Sequence, residues 1–161
     1  MFKRLTILIF MLSLLSITRP VAQKNVEALL NVETVPNVET VMQFLPPKYL
    51  GTYQWVNYQE SWSVVVSISD SKALNESDIE LNGIERFVNE KTQEVYESKI
   101  RVLINIRSLN FVMQEIYSEK EDGFIPMVYR GTMSPDLRDL KAEWVSGNGE
   151  IVVMTLRAMV R

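Results

Sequence analysis

Acidic side chains are the groups in this chain that could perform acid–base chemistry, because its 161 residues include no histidine and no cysteine. That absence excludes Ser-His-Asp and Cys-His catalysis, zinc sites of the His/Cys type and thiol redox chemistry. Two carboxylates that face each other across a cleft would remain, as in glycosidases. The candidates Glu85, Glu94 and Glu115 lie on predicted strands, where solvated faces carry such residues routinely. The sequence therefore predicts no catalytic residue, no cofactor and no enzymatic activity.

The densest acidic group lies at residues 119–123, EKEDG. Clustered oxygen ligands of this kind could bind calcium. The group lacks the spaced Asp-x-Asp-x-Asp pattern of calcium loops and includes Lys120. A solvated hairpin turn is the favoured interpretation, and the sequence predicts no metal site.

The N-terminus has the features of a secretory signal peptide. Two basic residues precede an apolar run at residues 5–17, which is too short for a stable membrane span. Cleavage after Ala22 defines residues 1–22 as the signal, with a cut near residues 16–18 as an alternative. An uncleaved anchor is the other interpretation of the same segment.

Charge and cysteine content indicate the compartment and the partners. The full chain has a formal net charge of −3, and the predicted signal removes Lys3, Arg4 and Arg19 but no acidic residue. The remaining chain is more acidic still, which argues against nucleic acid or anionic membranes as partners. Without cysteine there is no lipoprotein attachment site and no disulfide. We expect a secreted or periplasmic bacterial protein, with no membrane anchor after signal cleavage, whose core is held by packing alone.

Alternation of apolar and polar residues predicts strands from Leu50 onward. Residues 60–69, ESWSVVVSIS, place apolar side chains on one face and serines on the other, and residues 99–107 alternate in the same way. The glycine-rich residues 146–149 between two apolar runs predict a tight hairpin. Further strands are predicted at residues 51–59, 78–88, 111–117, 124–132 and 140–144. About eight short strands indicate an all-β fold, either a single antiparallel up-and-down barrel or a β-sandwich.

Two further features of this region have alternative interpretations. Residues 134–144, SPDLRDLKAEW, fit a short helix or a turn that leads into the penultimate strand. Trp55, Trp62 and Trp144 could line a cavity or stack on sugars, but core packing is favoured because aromatic residues dominate the buried area of β domains. In a barrel, the interior is both core and potential pocket.

The stretch QFLPPKYLGTYQWVNY, residues 43–58, resembles the opening of lipocalin-like barrels. There, a Gly-x-Trp element closes the barrel floor, and its tryptophan packs under an arginine from the last strand. Gly51 matches the glycine, Tyr53 takes the place of the tryptophan, and Arg157 matches the arginine, whose guanidinium could lie over the aromatic face. The resemblance is to small secreted bacterial lipocalin-like proteins of unknown function and implies one barrel domain over residues 44–161.

The triplet Asn-Val-Glu recurs at Asn25, Asn31 and Asn37. A spacing of six would scatter the three valines around a helix, and Pro36 interrupts any helix through the middle. Residues 23–43 are therefore predicted to be an extended or flexible lead, or at most an edge strand.

Three functions are consistent with these patterns. The resemblance and the inward apolar stripes imply a secreted, non-catalytic protein that binds a small apolar molecule inside the barrel. The first alternative is a structural or protein-interaction module of the cell envelope with a filled barrel. The second is a carboxylate-dependent hydrolase. The sequence does not identify the ligand-binding residues.

Overall fold

A computed structural model describes residues 37–118 and 126–159. The predicted signal peptide, the first two Asn-Val-Glu triplets and the acidic turn at residues 119–123 lie outside this part of the chain. The described residues form one short helix and eight strands: α1 (Val38–Phe44), β1 (Lys48–Trp55), β2 (Glu60–Ala73), β3 (Asp78–Asn89), β4 (Val95–Asn105), β5 (Asn110–Ser118), β6 (Val128–Met133), β7 (Asp139–Val145) and β8 (Ile151–Ala158).

Each strand pairs antiparallel with the next, and β1 also pairs with β8, so that the sheet closes into a barrel in simple chain order. The all-β, up-and-down barrel prediction is confirmed, and the β-sandwich alternative is wrong. Within the described residues, no helix has the length and hydrophobicity that crossing a membrane requires.

The two ends of the barrel differ. At the helix end, where β1 begins, α1 packs against β2 and β3. At the tryptophan end, β1, β2 and β7 carry Trp55, Trp62 and Trp144 on their inward faces, next to the loops at residues 56–59 and 146–150. Between these ends, alternate residues of the eight strands point inward and form one apolar core.

The region after β6 is a turn and a strand, so the helix alternative for residues 134–144 is wrong. The Ser134 hydroxyl accepts hydrogen bonds from the backbone N–H groups of Arg138 and Asp139, at 3.2 and 2.9 Å, which fixes the turn. β7 then continues into β8 through the predicted glycine-containing hairpin, in which Val145 pairs with Ile151.

The third Asn-Val-Glu triplet is the start of helix α1, which corrects the extended lead predicted for residues 37–43. The Asn37 side chain caps the helix by accepting a hydrogen bond from the Thr40 N–H at 2.8 Å. Val38 and Val41, on one face of the helix, are buried in the core. The six-residue spacing of the triplets did not predict this helix, because the helix contains only the third copy. Pro36 precedes the helix and therefore does not interrupt it.

Tyr49 closes the helix end from the inside. Its side chain is buried on β1, and its hydroxyl donates a hydrogen bond to the Leu137 carbonyl at 3.0 Å. Leu137, in the β6–β7 turn, is buried and has a left-handed φ of 61°. Burial raises the pKa of Tyr49, which keeps the hydroxyl protonated as a donor. This contact holds the turn against the first strand.

Gly51 permits the close approach of β1 and β8. A Cβ atom at this position would lie 1.8 Å from the Thr155 carbonyl oxygen. No side chain fits in that space without moving the backbone. The glycine on which the lipocalin resemblance depends is therefore required where the barrel closes.

Val41→Ala is expected to lower the free energy of unfolding by about 1–2 kcal/mol, because it removes buried carbon from a docked helix. Gln43→Ala, on the exposed side of the same helix, is the matched control and should stay within about 0.5 kcal/mol of the parent. Urea denaturation followed by tryptophan fluorescence measures both. Equal effects of the two substitutions would show that α1 is not docked.

Gly51→Ala is expected to destabilise the barrel by about 3 kcal/mol or more, because the added methyl group overlaps the β8 backbone. At Gly147 a Cβ atom would meet nothing within 4 Å, so Gly147→Ala is the control and should change stability little. Thermal unfolding monitored by circular dichroism distinguishes the two. A Gly51→Ala protein as stable as the control would contradict the close approach.

Candidate functional site

The structure corrects the closing contact that the lipocalin resemblance implies for Gly51, Tyr53 and Arg157. Arg157 lies on the outer face of β8, where its Nε atom is 2.9 Å from an Asp139 carboxylate oxygen and its side chain is 78% exposed. Tyr53 is buried on the inner face of β1. The two side chains lie on opposite faces of the sheet, so Arg157 does not cover the Tyr53 ring.

The structure brings Glu85 and Glu115 together and leaves Glu94 apart. Glu94 is exposed in the β3–β4 loop, where it accepts a hydrogen bond from the Thr92 hydroxyl at 3.2 Å. Glu85 on β3 and Glu115 on β5 are both buried, with β4 between their strands. The interpretation of these residues as part of a solvated strand face was wrong for Glu85 and Glu115.

Glu115 is held by groups from the segment that enters β6. The Met127 N–H donates to Glu115 Oε2 at 3.0 Å, and the Tyr129 hydroxyl lies 3.4 Å from Oε1. The hydroxyls of Tyr53 and Tyr129 also approach the Met127 sulfur, at 3.3 and 3.2 Å. Burial raises the pKa of Glu115, while the hydrogen bonds from Met127 and Tyr129 oppose that rise. Glu115 therefore has its partners inside the protein.

Glu85 has no such partners. Its side chain is fully buried, and neither carboxyl oxygen has a hydrogen-bond partner among the described residues. Burial first, and then the charge of Glu115, raise the pKa of Glu85 well above its ordinary value. A buried polar group that lacks a partner typically costs about 1–3 kcal/mol. Glu85 is thus an unsatisfied acid that faces the barrel interior.

The burial of Glu85 was missed, although the alternation of β3 contains the signal. Ile79, Leu81 and Phe87 share the parity of Glu85, and all of these positions are buried, whereas Ile84 is exposed on the other face. A glutamate at a position that alternates in step with the apolar residues of a strand is expected to face the interior. That parity distinguishes Glu85 from the many acids on outer faces.

An aromatic cluster extends from these acids to the tryptophan end. The Tyr53 ring centroid lies 4.9 Å from that of Phe87 and 6.3 Å from that of Tyr129. Trp55 continues the cluster, with its centroid 6.1 Å from Tyr53 and 5.7 Å from Trp144. All of these pairs are edge-to-face, an arrangement that aromatic pairs favour.

A second aromatic pair lies at the same end. The Trp62 and Tyr96 centroids are 5.3 Å apart. Glu60, half-buried beside them, accepts hydrogen bonds from Trp62 Nε1 and Asn89 Nδ2, each at 2.9 Å. All three tryptophans are half-buried and pack against the core, so they belong to the core and also border the end of the barrel.

The described interior carries acids but no basic side chain. Lysines and arginines in the described ranges are exposed, apart from the half-buried Arg138 in the β6–β7 turn. The inward acids Glu85 and Glu115 therefore have no internal counter-charge among the described residues. Within residues 37–118 and 126–159, no group of three or more acidic side chains is arranged to hold a metal ion.

No protein-family model matches the chain, and a search of curated proteins finds no match. Among solved structures, the chain is similar to one described as the de novo design of a fluorescence-activating beta barrel, with 12% sequence identity and a TM-score of 0.45. The likeness covers 73% of this chain and 95% of that one. The barrel assignment rests on the strand pairing of the chain itself.

Glu85→Met is expected to stabilise the ligand-free protein near pH 8 by about 1–3 kcal/mol, the cost of an unpartnered buried polar group. Because the folded-state pKa of Glu85 is raised, the folded protein retains a proton that the unfolded chain releases. The parent should therefore lose stability as pH rises from the ordinary glutamate pKa to the raised one. The gain from Glu85→Met should shrink as the pH is lowered toward about 4.5.

Urea midpoints at several pH values measure this difference. Glu143→Met makes the same change at an exposed position of β7 and is the matched control. A Glu85→Met protein that keeps the pH profile of the parent would show that Glu85 is not the group that titrates.

Proposed function

We propose that the protein is a non-catalytic, lipocalin-like binding protein that holds one small molecule with an apolar body inside the barrel, at the tryptophan end. The observation that carries this proposal is the placement of the unpartnered, fully buried Glu85 beside the aromatic cluster of Tyr53, Phe87, Trp55 and Trp144. Ligand sites combine apolar and aromatic walls with a few polar groups that orient the ligand.

The free-energy cost of leaving the Glu85 carboxyl group unpaired supports a ligand-binding site at this position. A polar group that remains unpaired in a packed interior destabilises the free protein. A bound molecule that supplies the missing partner removes that cost, and the gain appears as binding free energy. Glu115, whose oxygens are already engaged by Met127 and Tyr129, gains less from a ligand.

The enclosure of both acids supports binding over hydrolysis. Glu85 is 0% and Glu115 is 5% exposed, whereas a glycosidase places its two carboxyl groups on either side of a substrate in an accessible cleft. A retaining mechanism also needs one acid to be ionised as the nucleophile, and burial raises the pKa of both acids here.

The proposed setting is extracellular or periplasmic. Its support is the sequence of residues 1–22, with basic residues ahead of a short apolar run and Ala22 as the small residue at the cut. An acidic chain without cysteine suits a released protein that carries no lipid attachment site.

Binding of a neutral apolar probe tests the proposal. N-phenyl-1-naphthylamine, which brightens in apolar surroundings, is expected to bind the protein with one site. Trp144→Ala should weaken that binding by about five- to tenfold, because it removes an inward aromatic contact worth about 1–1.4 kcal/mol. Val145→Ala, at the adjacent outward residue, is the control and should leave the affinity unchanged.

Native mass spectrometry of the protein purified from its own source provides an independent measurement. A co-purifying small molecule supports the proposal. Absence of probe binding together with a mass free of any small molecule would overturn it and favour a filled barrel that acts as a structural or interaction module. Circular dichroism confirms that each variant is folded before its affinity is compared.

A further inference from the structure

We propose that the ligand is a small organic cation, a protonated amine on an apolar or aromatic body, whose N–H groups bind the Glu85 carboxylate inside the aromatic cluster. This inference rests on the proposed function and specifies the class of ligand. The juxtaposition that carries it is a fully buried acid with two unpartnered oxygens, a second buried acid nearby, and the rings of Tyr53, Phe87 and Trp55, which extend toward the tryptophan end.

The charge balance of the interior favours a cation. Glu85 and Glu115 approach each other, Glu60 adds a third acid at the same end, and no lysine or arginine of the described residues lies among them. A site with this balance repels carboxylates, phosphates and sulfates, because a buried anion needs a compensating positive charge. A ligand ammonium group would supply the charge that the protein lacks.

Glu115 and Glu85 differ in their hydrogen-bond partners, and we assign them different roles in binding on that ground. Glu115 is fixed by the Met127 N–H and the Tyr129 hydroxyl. Both oxygens of Glu85 remain available, and an ammonium group has up to three N–H donors to offer them. We therefore assign direct ion pairing to Glu85, while Glu115 contributes mainly its charge and the placement of Tyr129.

The aromatic cluster suits the same ligand. Cations are attracted to the faces of Tyr, Phe and Trp rings within about 6 Å of the ring centroid. The Tyr53 ring contacts both Phe87 and Trp55 inside the barrel. Its hydroxyl donates a hydrogen bond to the Met127 sulfur. Ring faces and an unpaired carboxylate together form the chemistry that recognises aromatic and alkyl ammonium ions.

Binding of a cation should depend on pH in a defined direction. Protonated Glu85 offers no negative charge, so affinity should rise as pH increases through its raised pKa. The titratable groups around it are Glu115 on β5, Tyr129 on β6 and Tyr53 on β1, and Glu60, at the start of β2, lies near Tyr53. Burial raises the pKa of both tyrosines, which stay neutral over this range.

Three naphthyl probes of matched size test the inference by isothermal titration calorimetry near pH 8: 2-(1-naphthyl)ethylamine, 2-(1-naphthyl)ethanol and 1-naphthylacetate. The amine should bind at least about tenfold more tightly than the alcohol, and the carboxylate should bind most weakly. Glu85→Gln should weaken amine binding by about tenfold or more, since it removes the charge partner, and should weaken alcohol binding much less, so that the preference for the amine over the alcohol is lost. Glu143→Gln, on the outer face, is the matched control.

The outcomes separate this inference from the proposed function. If the alcohol binds as tightly as the amine and Glu85→Gln weakens neither, the amine inference is overturned while a binding barrel remains. If none of the probes binds and N-phenyl-1-naphthylamine also fails, the proposed function fails with it. Tight binding of the carboxylate would contradict the charge argument directly. Urea denaturation of Glu85→Gln verifies that its affinity is measured on folded protein.

Discussion

Pairing of the first strand with the last is the interaction on which the rest of the structure depends. β1 bonds to β2 along its length and to β8 from Tyr49 to Trp55, so the sheet has no free edge. Closure divides every strand into residues that meet solvent and residues that meet one another. Because Gly51 brings the β1 backbone against the Thr155 carbonyl, closure is tight at that point. The packing contacts and hydrogen bonds of an inward side chain are therefore limited to the groups that the closed barrel encloses.

The two ends of that enclosed space differ in chemistry. At the helix end, Val38 and Val41 add apolar surface, and the one polar tip of Tyr49 is satisfied by the Leu137 carbonyl. Toward the tryptophan end, the interior contains Glu85 and Glu115 among aromatic rings. A polar group in a stable core is normally paired, as Tyr49 is. Glu85, deeper in the interior, is the unpaired exception.

Sequence patterns predicted the strands and the barrel because period-two alternation and turn residues are local properties. Gly51, which the lipocalin resemblance singled out, lies where the β1 backbone meets the Thr155 carbonyl. Prediction failed for Arg157 because it followed the lipocalin resemblance and not the alternation of β8. Met154 and Leu156 are buried, so Arg157, which has the opposite parity, faces outward. Prediction failed for α1 because the three triplets were treated as one element, although the cap at Asn37 needs only its own copy.

The features of Glu85 could be predicted from the sequence only in part. Its inward parity could be read from the neighbouring Ile79, Leu81 and Phe87. Its lack of partners could not, because Glu115, Met127 and Tyr129 come together only after β5 and β6 join the barrel. The aromatic cluster has the same origin, since it draws Tyr53, Phe87 and Trp144 from strands far apart in the sequence.

The capped start of α1 has a consequence for how the gene can change in length. The five residues NVETV at positions 37–41, which supply the cap and both buried valines, also occur at positions 31–35. Loss of one six-residue copy, as happens when replication slips on a repeat, would therefore place an identical cap and identical valines ahead of Met42. The segment that precedes the barrel can shorten by whole copies while the helix that contacts the core keeps its sequence.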